Sequence, residues 1–411
     1  MSKKILIYAF TLRRDAAAAL ILKGQLESRG ATVVIACSYN FDFYLKYWGP
    51  DICLISTISR IENITKYCPS SEIVLWPGEG SEPLESSNAL MIKNRDGAWR
   101  RISRILSWGE HDRQIFKQMF DDADSKVFVC GNPRLDLAKA SPLINERTKN
   151  RHSIGIMGRF NSLNHYDGRP TIYSLNDTEN LASVIDQAKG YTVIVNTIKW
   201  IVENTNEQIQ IRPHPLEAPE NYKYLQNMYK GRITIDESFD LAHWIAGQKL
   251  ILTPSSTSFL EAYITKTPII NIEKLADFVQ PSREIQPFAA LSQDAGISPA
   301  SYTELRELIT SPPTHIKNEK IEAHLKHAHG WHLPQTAASK AADILVGSKL
   351  QPLPKIKLLQ RWGLAQVSNI MFRKACRRNP LFSNFNYCEQ FHKSPEYFAE
   401  ITRLICSKIK D

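Results

Sequence analysis

The sequence predicts an α/β fold in which two doubly wound parallel sheets face each other across a cleft. Short apolar runs such as Ile-Cys-Leu-Ile (52–55) alternate with helical patterns, and such uninterrupted runs are typical of parallel strands covered on both faces. The alternation occurs twice, on either side of a polar, Lys/Arg-rich segment at 142–152. With 411 residues, 43% of them hydrophobic, the chain can fill two cores.

The first alternation predicts an N-terminal domain at 1–150. We predict helices at 15–29 and 135–140, and strands at 4–10, 32–37, 52–57, 73–77, 104–108 and 126–130. The N-terminus superficially resembles a signal peptide. Its apolar run is short, however, and Thr-Leu-Arg-Arg-Asp follows at once, which favours a first strand.

The second alternation predicts another domain at 151–347. A long polar loop at 158–177 follows its first strand, and the chain beyond residue 277 has an irregular pattern until a helix at 334–347. The predicted strands are 153–157, 208–211, 233–235, 250–253 and 269–272, and the predicted helices lie within 180–204, 220–229, 241–247 and 259–265.

We predict that the remaining residues, 348–411, form a basic, aromatic, helical tail. Residues 351–411 contribute seven of the nine net positive charges of the chain. Basic residues mixed with aromatic ones suit an anionic membrane surface, so we expect peripheral contact there. A nucleic acid would also attract this charge, but no recognised nucleic-acid module is present and no nucleic-acid partner is expected. A third interpretation is a helical extension packed on the body of the protein.

The cysteines favour a reducing, cytoplasmic location, with a possible position at the inner face of the membrane. Their number, seven, is odd and their spacing fits no metal site. Cys37, Cys53 and Cys130 lie in strand-like segments, where reduced thiols behave as small hydrophobic side chains. No apolar run approaches the roughly 18 residues expected of a membrane-spanning helix.

Two segments carry the candidate chemistry. Arg-Pro-His-Pro (212–215) and Pro-Ser-Ser-Thr-Ser (254–258) each follow a predicted strand of the second domain. Ligands of open α/β sheets bind outside the carboxyl ends of the strands, and a hydroxyl-rich helix start suits a phosphate. Taken singly, the first segment is also typical of a stiff surface turn and the second of an ordinary helix cap.

These residues resemble bacterial surface-polysaccharide glycosyltransferases that use CMP-activated acidic sugars. Sialyltransferases and polysialyltransferases carry a His-Pro motif and a later Ser/Thr pair at similar spacing, and retaining β-Kdo transferases share the general plan. Segments 129–136 (Val-Cys-Gly-Asn-Pro-Arg-Leu-Asp) and 75–80 (Leu-Trp-Pro-Gly-Glu-Gly) also resemble surface-carbohydrate biosynthesis proteins. The resemblance implies the GT-B fold, in which the second of two Rossmann-like domains holds the nucleotide and the first receives the acceptor.

The resemblance assigns the nucleotide-binding residues. It implies that His214 contacts the cytidine monophosphate, with Arg212 adding positive charge, and that Glu261 binds the ribose; a solvated helix face is the alternative for Glu261. Because CMP carries one phosphate and no Asp-x-Asp motif is apparent in the second domain, we expect neither a metal nor a cofactor. The phosphate would be held by Ser255, Ser256 and Thr257.

The resemblance also implies an Asp nucleophile with a nearby Glu. We assign Asp167 as nucleophile and Glu79, between two glycines, as acid/base; a turn and a solvated loop are the respective alternatives. Arg159 and Arg169 match the carboxylate of an acidic sugar or are surface charges. Asn161 in the same loop is assigned to substrate binding.

Four histidines, at 324, 327, 329 and 332, cluster near the end of the second domain. Their spacing fits no zinc pattern, and a helix end facing solvent or the cleft is favoured.

The leading hypothesis is a CMP-Kdo-dependent transferase acting on a surface-polysaccharide or lipid-linked glycan acceptor. The alternatives are a sialyltransferase or polysialyltransferase, a glycerophosphotransferase that uses a cytidine nucleotide, a non-catalytic binding protein, and, more distantly, a UDP-sugar epimerase.

Overall fold

The computed structural model describes residues 2–10, 12–38, 40–78, 80, 87–139, 151–166, 168, 170–175, 178–238, 241–254, 258–276, 291, 296–314 and 317–347. Within them the chain forms two compact units. The first comprises the residues before 140 and those from 323 onward, and the second comprises the residues between.

The described part of the first unit contains a six-stranded, all-parallel sheet in the order β2-β1-β3-β4-β5-β6. Most residues of its central strands are fully buried because helices cover both faces. The strands are β1 (Lys4–Tyr8), β2 (Thr32–Ala36), β3 (Ile52–Ile55), β4 (Glu72–Leu75), β5 (Ile102–Ser107) and β6 (Val127–Val129).

Alternate residues of these strands pack into two separate cores, one on each face of the sheet. Leu6, Cys53 and Ile55 face one core, and Ile5, Ile7 and Leu54 face the other. The helices of this unit are Leu12–Ser28, Phe41–Trp48, Ile61–Tyr67, Asn88–Lys93, Ala98–Arg101, Glu110–Met119, Ala123–Lys126, Asp136–Lys139 and Ala337–Val346, with 3₁₀ turns at Ile58–Arg60 and Pro133–Leu135.

The described part of the second unit contains a five-stranded parallel sheet in the order β11-β10-β7-β8-β9. The strands are β7 (Ser153–Met157), β8 (Gln208–Arg212), β9 (Ile233–Ile235), β10 (Gln248–Thr253) and β11 (Ile269–Asn271). The helices are Thr178–Asn204, Lys223–Met228, Leu241–Ala246, Phe259–Ile264 and Tyr302–Thr310, with 3₁₀ turns at Thr171–Ser174, Pro219–Tyr222 and Glu273–Leu275. The two doubly wound sheets confirm the predicted fold class.

The chain after residue 277 is more regular than its sequence pattern predicts. Tyr302–Thr310 and Glu319–His329 are helices. Tyr302–Thr310 buries only Leu305 and Ile309, and polar residues occupy most of its other positions, so its apolar stripe is narrow.

The units differ from the predicted domains in the placement of residues 323–347. The helix Ala337–Val346 belongs to the first unit, where Ala338, Ala341 and Ala342 are fully buried in the core beside the helix Leu12–Ser28. An ion pair of 2.8 Å between Arg29 Nε and Asp343 Oδ1 joins the two helices. Small side chains allow two helices to pack closely. The alanine-rich sequence predicts such packing, but it does not indicate which of the two sheets the helix covers.

Two of the three strand cysteines are as predicted. Cys53 and Cys130 are buried free thiols, and burial raises the pKa of each to about 12. Cys37 is disulfide-bonded, so the prediction of a reduced thiol there is wrong.

No helix in the described part of the chain combines the length and apolar character needed to cross a bilayer. The basic tail, 348–411, lies outside the described residues.

Candidate functional site

The strand order of the second sheet defines a crevice at its carboxyl edge. From β7 the chain proceeds through β8 to β9 on one side, and β10 and β11 then lie on the other side of β7. Ligands of open α/β sheets bind where the strand order reverses in this way. The segments after β7 and β10 flank this switch point, and the segment after β8 is their neighbour.

The segments after β7 and β8 are tied together by backbone and amide hydrogen bonds. The Tyr166 N–H donates to the Leu216 carbonyl over 3.0 Å, and Asn164 Nδ2 donates to the Ala218 carbonyl over 2.9 Å. Asn221 Nδ2 adds a bond of 2.7 Å to Asn164 Oδ1. The Arg-Pro-His-Pro segment is therefore part of a braced double loop.

A buried carboxylate, Glu217, holds the centre of this double loop. It is 2% exposed and accepts hydrogen bonds from the Phe160 N–H (2.7 Å) and from the Tyr222 hydroxyl. Burial, followed by the charge of Glu217, holds the pKa of Tyr222 well above its usual value, so the phenol stays a donor. Glu217 is not among the predicted site residues, because nothing in its local sequence indicates contact with a residue of another loop.

His214 is held in one tautomer. The Leu216 N–H donates to His214 Nδ1 over 3.2 Å, and the Glu217 N–H donates to the His214 carbonyl over 2.9 Å. A ring nitrogen that accepts a hydrogen bond carries no proton, so the neutral imidazole bears its proton on Nε2. His214 follows β8 directly, and this contact places the proton of its neutral imidazole on Nε2.

The side chain of Arg212 makes its contacts with other residues of the second unit. Its guanidinium pairs with Asp236, donates to the Ser238 hydroxyl (2.8 Å) and carbonyl (2.7 Å), and lies 5.6 Å from the centre of the Trp244 ring. With a side chain only 9% exposed, it fixes the segment after β9 beside the one that carries His214. Its positive charge is balanced by Asp236.

Arg159 and Asn161 lie together at the start of the segment after β7. Arg159 is exposed, and its Nε donates to Asn161 Oδ1 over 3.3 Å. Between them, Phe160 is buried against Gly158, where an added Cβ would lie 2.2 Å from the Phe160 ring. Gly158 is thus required for this loop to fold back on itself.

Glu261 is buried, at 7% exposure, in the helix Phe259–Ile264 that follows β10. The alternative of a solvated helix face is therefore wrong. The hydroxyl of Thr253, the last residue of β10, is also buried and has no hydrogen-bond partner among the described residues. Six predicted site residues lie outside the described part of the chain: Glu79, Asp167, Arg169, Ser255, Ser256 and Thr257.

A pocket of about 200 Å³ lies beside the double loop. The Phe160 and Tyr191 rings meet edge to face, 5.3 Å apart between centres. Aromatic walls with amide groups suit a flat ring or a sugar. The pocket is lined by Phe160, Leu163, Asn164, Tyr191, Asn221 and Tyr222.

The Gly-Asn-Pro-Arg-Leu-Asp segment of the first unit has structural contacts. Asp136 is 1% exposed, and its two carboxylate oxygens accept the N–H groups of Ala337 and Ala338, each over 2.8 Å. Asn132 N–H donates to the His329 carbonyl over 2.9 Å. The segment thus attaches the C-terminal part of the first unit to β6.

The histidine cluster is divided: His327 and His332 are exposed, as expected of a helix end that faces solvent or the cleft, whereas His324 is half-buried and His329 is buried. His329 is 3% exposed, and its Nδ1 lies 2.9 Å from Asn132 Nδ2, which can only donate. His329 Nε2 therefore carries the proton and donates to His324 Nε2 over 3.2 Å. Burial, then neighbouring charges, lowers the pKa of His324 to about 4 and that of His329 well below its usual value. No group of three or more metal-type side chains occurs among the described residues.

No protein-family model matches the chain, and no curated protein matches its sequence. Solved structures do match. The wall teichoic acid polymerase TagF, in a structure with CDPG, aligns with a TM-score of 0.54 at 12% identity over 84% of this chain and 88% of that chain. A second TagF structure gives 0.53 at 11% identity, over 84% and 87%.

The UDP-GlcNAc 2-epimerase of Methanocaldococcus jannaschii, in complex with UDP-GlcNAc and UDP, aligns at a TM-score of 0.47 and 13% identity, over 85% of this chain and 100% of that chain. The TagF similarities show that the fold is a GT-B-like α/β architecture.

Proposed function

We propose that the chain is a glycosyltransferase whose second unit binds a cytidine-nucleotide donor, and that the donor is a CMP-linked acidic sugar, Kdo in the first instance. The observation that carries this proposal is the fixed Nε2–H donor of His214, in a braced double loop at the carboxyl edge of the second sheet. The fold similarity to TagF supports a transferase with such a donor.

The proposed chemistry needs a stabilised leaving group. When the bond between the sugar and CMP breaks, negative charge accumulates on the phosphate, and a positioned N–H donor stabilises it. His214 would supply one donor, and the Ser255–Thr257 segment would add hydroxyl and backbone donors at a helix start. Since CMP has one phosphate, transfer is expected without a metal or other cofactor.

The proposed reaction proceeds through a sugar adduct. Asp167 would attack the anomeric carbon as CMP leaves, and an acceptor hydroxyl would then displace Asp167 while Glu79 takes its proton. Arg159 and Asn161, already adjacent, would hold the sugar carboxylate together with Arg169. The acceptor would be a surface-polysaccharide or lipid-linked glycan, and the tail at 351–411 would contact the anionic membrane that carries it.

A second candidate is a glycerophosphotransferase that uses CDP-glycerol. The observation in its favour is the TagF structure with CDPG, which has the highest of the TM-scores reported above. Both candidates require a cytidine nucleotide at His214 and differ in the group transferred. Incubation with CMP-Kdo and, separately, with CDP-glycerol in the presence of mixed glycan and polyol-phosphate acceptors discriminates between them by the mass added to the acceptor.

Calorimetric titration with CMP, CDP, UMP and UDP tests the nucleotide site. We expect cytidine nucleotides to bind more tightly than uridine nucleotides, and His214→Ala to weaken CMP binding about tenfold, the value of a hydrogen bond to a charged group. His152→Ala is the matched control, because His152 is exposed and precedes β7 at the opposite edge of the same sheet. Tighter UDP binding, or equal CMP binding by both variants, contradicts the proposal.

Mass spectrometry after incubation with CMP-Kdo tests the nucleophile. The wild-type protein should gain the mass of one Kdo residue, and Asp167→Asn should not. An adduct that persists in Asp167→Asn would place the nucleophile elsewhere.

A further inference from the structure

The pocket beside the double loop has the size of a single small ring. Its volume is about 200 Å³. An apolar cavity of roughly 150 Å³ accommodates benzene, and pockets that enclose a whole ligand typically measure about 300–1,000 Å³. One six-membered heterocycle with its substituents therefore fits inside the pocket, and the rest of a larger ligand has to lie outside it.

Three aromatic side chains form the walls of this pocket. Phe160 and Tyr222 are each 4% exposed, and Glu217 accepts hydrogen bonds from the Phe160 N–H and the Tyr222 hydroxyl. The Tyr191 ring meets both rings edge to face, with its centre 5.3 Å from that of Phe160 and 6.3 Å from that of Tyr222. Because these contacts hold the walls in place, a flat ring binds against them at little cost in ordering.

Asn221 supplies a polar edge of the pocket, and the orientation of its amide is fixed. The Ala218 carbonyl can only accept, so the Asn164 atom that lies 2.9 Å from it is Nδ2. Asn164 Oδ1 then accepts a hydrogen bond of 2.7 Å from Asn221 Nδ2. Asn221 Oδ1 and the second Nδ2 hydrogen have no partner among the described residues. The exposed amide therefore offers one acceptor and one donor to a ligand.

Contacts join the pocket to both segments that are predicted to hold the phosphate. The Glu217 N–H donates to the His214 carbonyl over 2.9 Å, so the residue that fixes two walls also fixes the His214 segment. A Cβ on Gly190 would lie 3.4 Å from the Phe160 ring and 3.5 Å from Pro254 Cγ. Pro254 directly precedes the predicted hydroxyl-rich segment. The pocket is therefore adjacent to both segments.

We propose that this pocket holds the pyrimidine base of the donor nucleotide, with the Watson–Crick edge of the base on the Asn221 amide. Proteins recognise unpaired bases by stacking on aromatic side chains and by hydrogen bonds to that edge. A pyrimidine presents a donor beside an acceptor there, and an asparagine amide also presents both groups. The pocket has only two amide side chains beside apolar walls, so most hydroxyls of a monosaccharide would stay unpaired, which favours a base over a sugar ring. The assignment rests on the proposed nucleotide-binding function of the second unit.

Cytidine, which contains the base without the phosphate, tests the pocket on the full-length protein. In saturation-transfer NMR we expect the base protons to receive more saturation than the ribose protons, because the base is the part enclosed by the protein. In calorimetric titration, Asn221→Ala should weaken the binding of cytidine and of CMP about tenfold. Leu163→Phe, which fills part of the pocket, should also weaken both. His214→Ala should weaken CMP binding but not cytidine binding, because cytidine has no phosphate.

Asn227→Ala is the matched control, since Asn227 is an exposed asparagine of the helix that follows Asn221. It should leave both affinities unchanged. Because Asn221 is itself exposed, Asn221→Ala should keep a nearly unchanged unfolding temperature while its cytidine affinity falls, which separates a binding role from a structural one.

Stronger saturation of the ribose protons, or equal cytidine affinity in Asn221→Ala and Asn227→Ala, would overturn the assignment. If CMP binds and its affinity depends on His214 while cytidine does not bind, the base lies elsewhere and the nucleotide proposal stands. If neither CMP nor cytidine binds the wild-type protein, the nucleotide proposal and this assignment both fail.

Discussion

Replacing Glu217 by Gln should uncouple the two loops that carry the candidate nucleotide site. The carboxylate accepts the Phe160 N–H over 2.7 Å and the Tyr222 hydroxyl while 2% exposed. Glutamine has one oxygen and one NH₂ group, so only one of the two donors keeps an acceptor and the other faces N–H hydrogens. Hydrogen bonds to charged groups contribute about 1.5–3 kcal/mol each, and an unsatisfied buried donor costs a further 1–3 kcal/mol, so we expect a loss of about 3–5 kcal/mol.

Scanning calorimetry measures this loss, because the two units have separate cores and should give two transitions. The transition of the second unit should move to lower temperature, that of the first unit should stay, and CMP affinity should fall. Glu203→Gln is the control, since the nearest partner of its exposed carboxylate is Lys199 at 4.0 Å. A loss below about 1 kcal/mol in Glu217→Gln, similar to the control, would refute the role assigned to Glu217.

Three further predictions concern stability. Asp136→Ala leaves two buried N–H groups without an acceptor, so the first unit should lose about 2–4 kcal/mol in calorimetry; an unshifted first transition would contradict this. Gly158→Ala places a Cβ 2.2 Å from the Phe160 ring, so the second unit should lose about 1–3 kcal/mol, and full stability would show that the loop has room. The pKa of His324 is about 4, whereas an unfolded histidine titrates near 6.5. The unfolded state therefore binds more protons between these values, and the first unit should lose about 2 kcal/mol, allowing for partial exposure of His324, as pH falls from about 6.5 to 4. A flat urea-unfolding profile over that window would contradict a neutral His324 in the folded first unit.

The sequence predicts the sheets well because their signal is local. The uninterrupted apolar run at 52–55 coincides with β3, and the mainly apolar segment at 153–157 coincides with β7. The other strand ends agree within a few residues. The helix Glu319–His329 was not predicted, although its buried residues Ile321, Leu325 and Ala328 have the i, i+4, i+7 spacing of an amphipathic helix.

Only part of the candidate site can be predicted from the sequence. Proline and the end of a predicted strand place Arg-Pro-His-Pro at the sheet edge, as the structure confirms. The burial of Glu217 cannot be predicted from its local sequence, because it depends on contact with Phe160, 57 residues earlier in the chain. Likewise, Asp136 resembles part of a carbohydrate-enzyme motif, yet its carboxylate caps a helix 201 residues later in the chain.

The most direct test of the central claim is an NMR spectrum of the protein with ¹⁵N-labelled histidine, recorded with and without CMP. We expect His214 Nε2, with its resonance assigned through His214→Ala, to carry a proton in both states and its resonance to shift when the nucleotide binds. The resonances of His324 and His329 in the first unit should not shift. Saturation with CMP that leaves the His214 signal in place, or that moves only the first-unit histidines, would contradict the proposed nucleotide site.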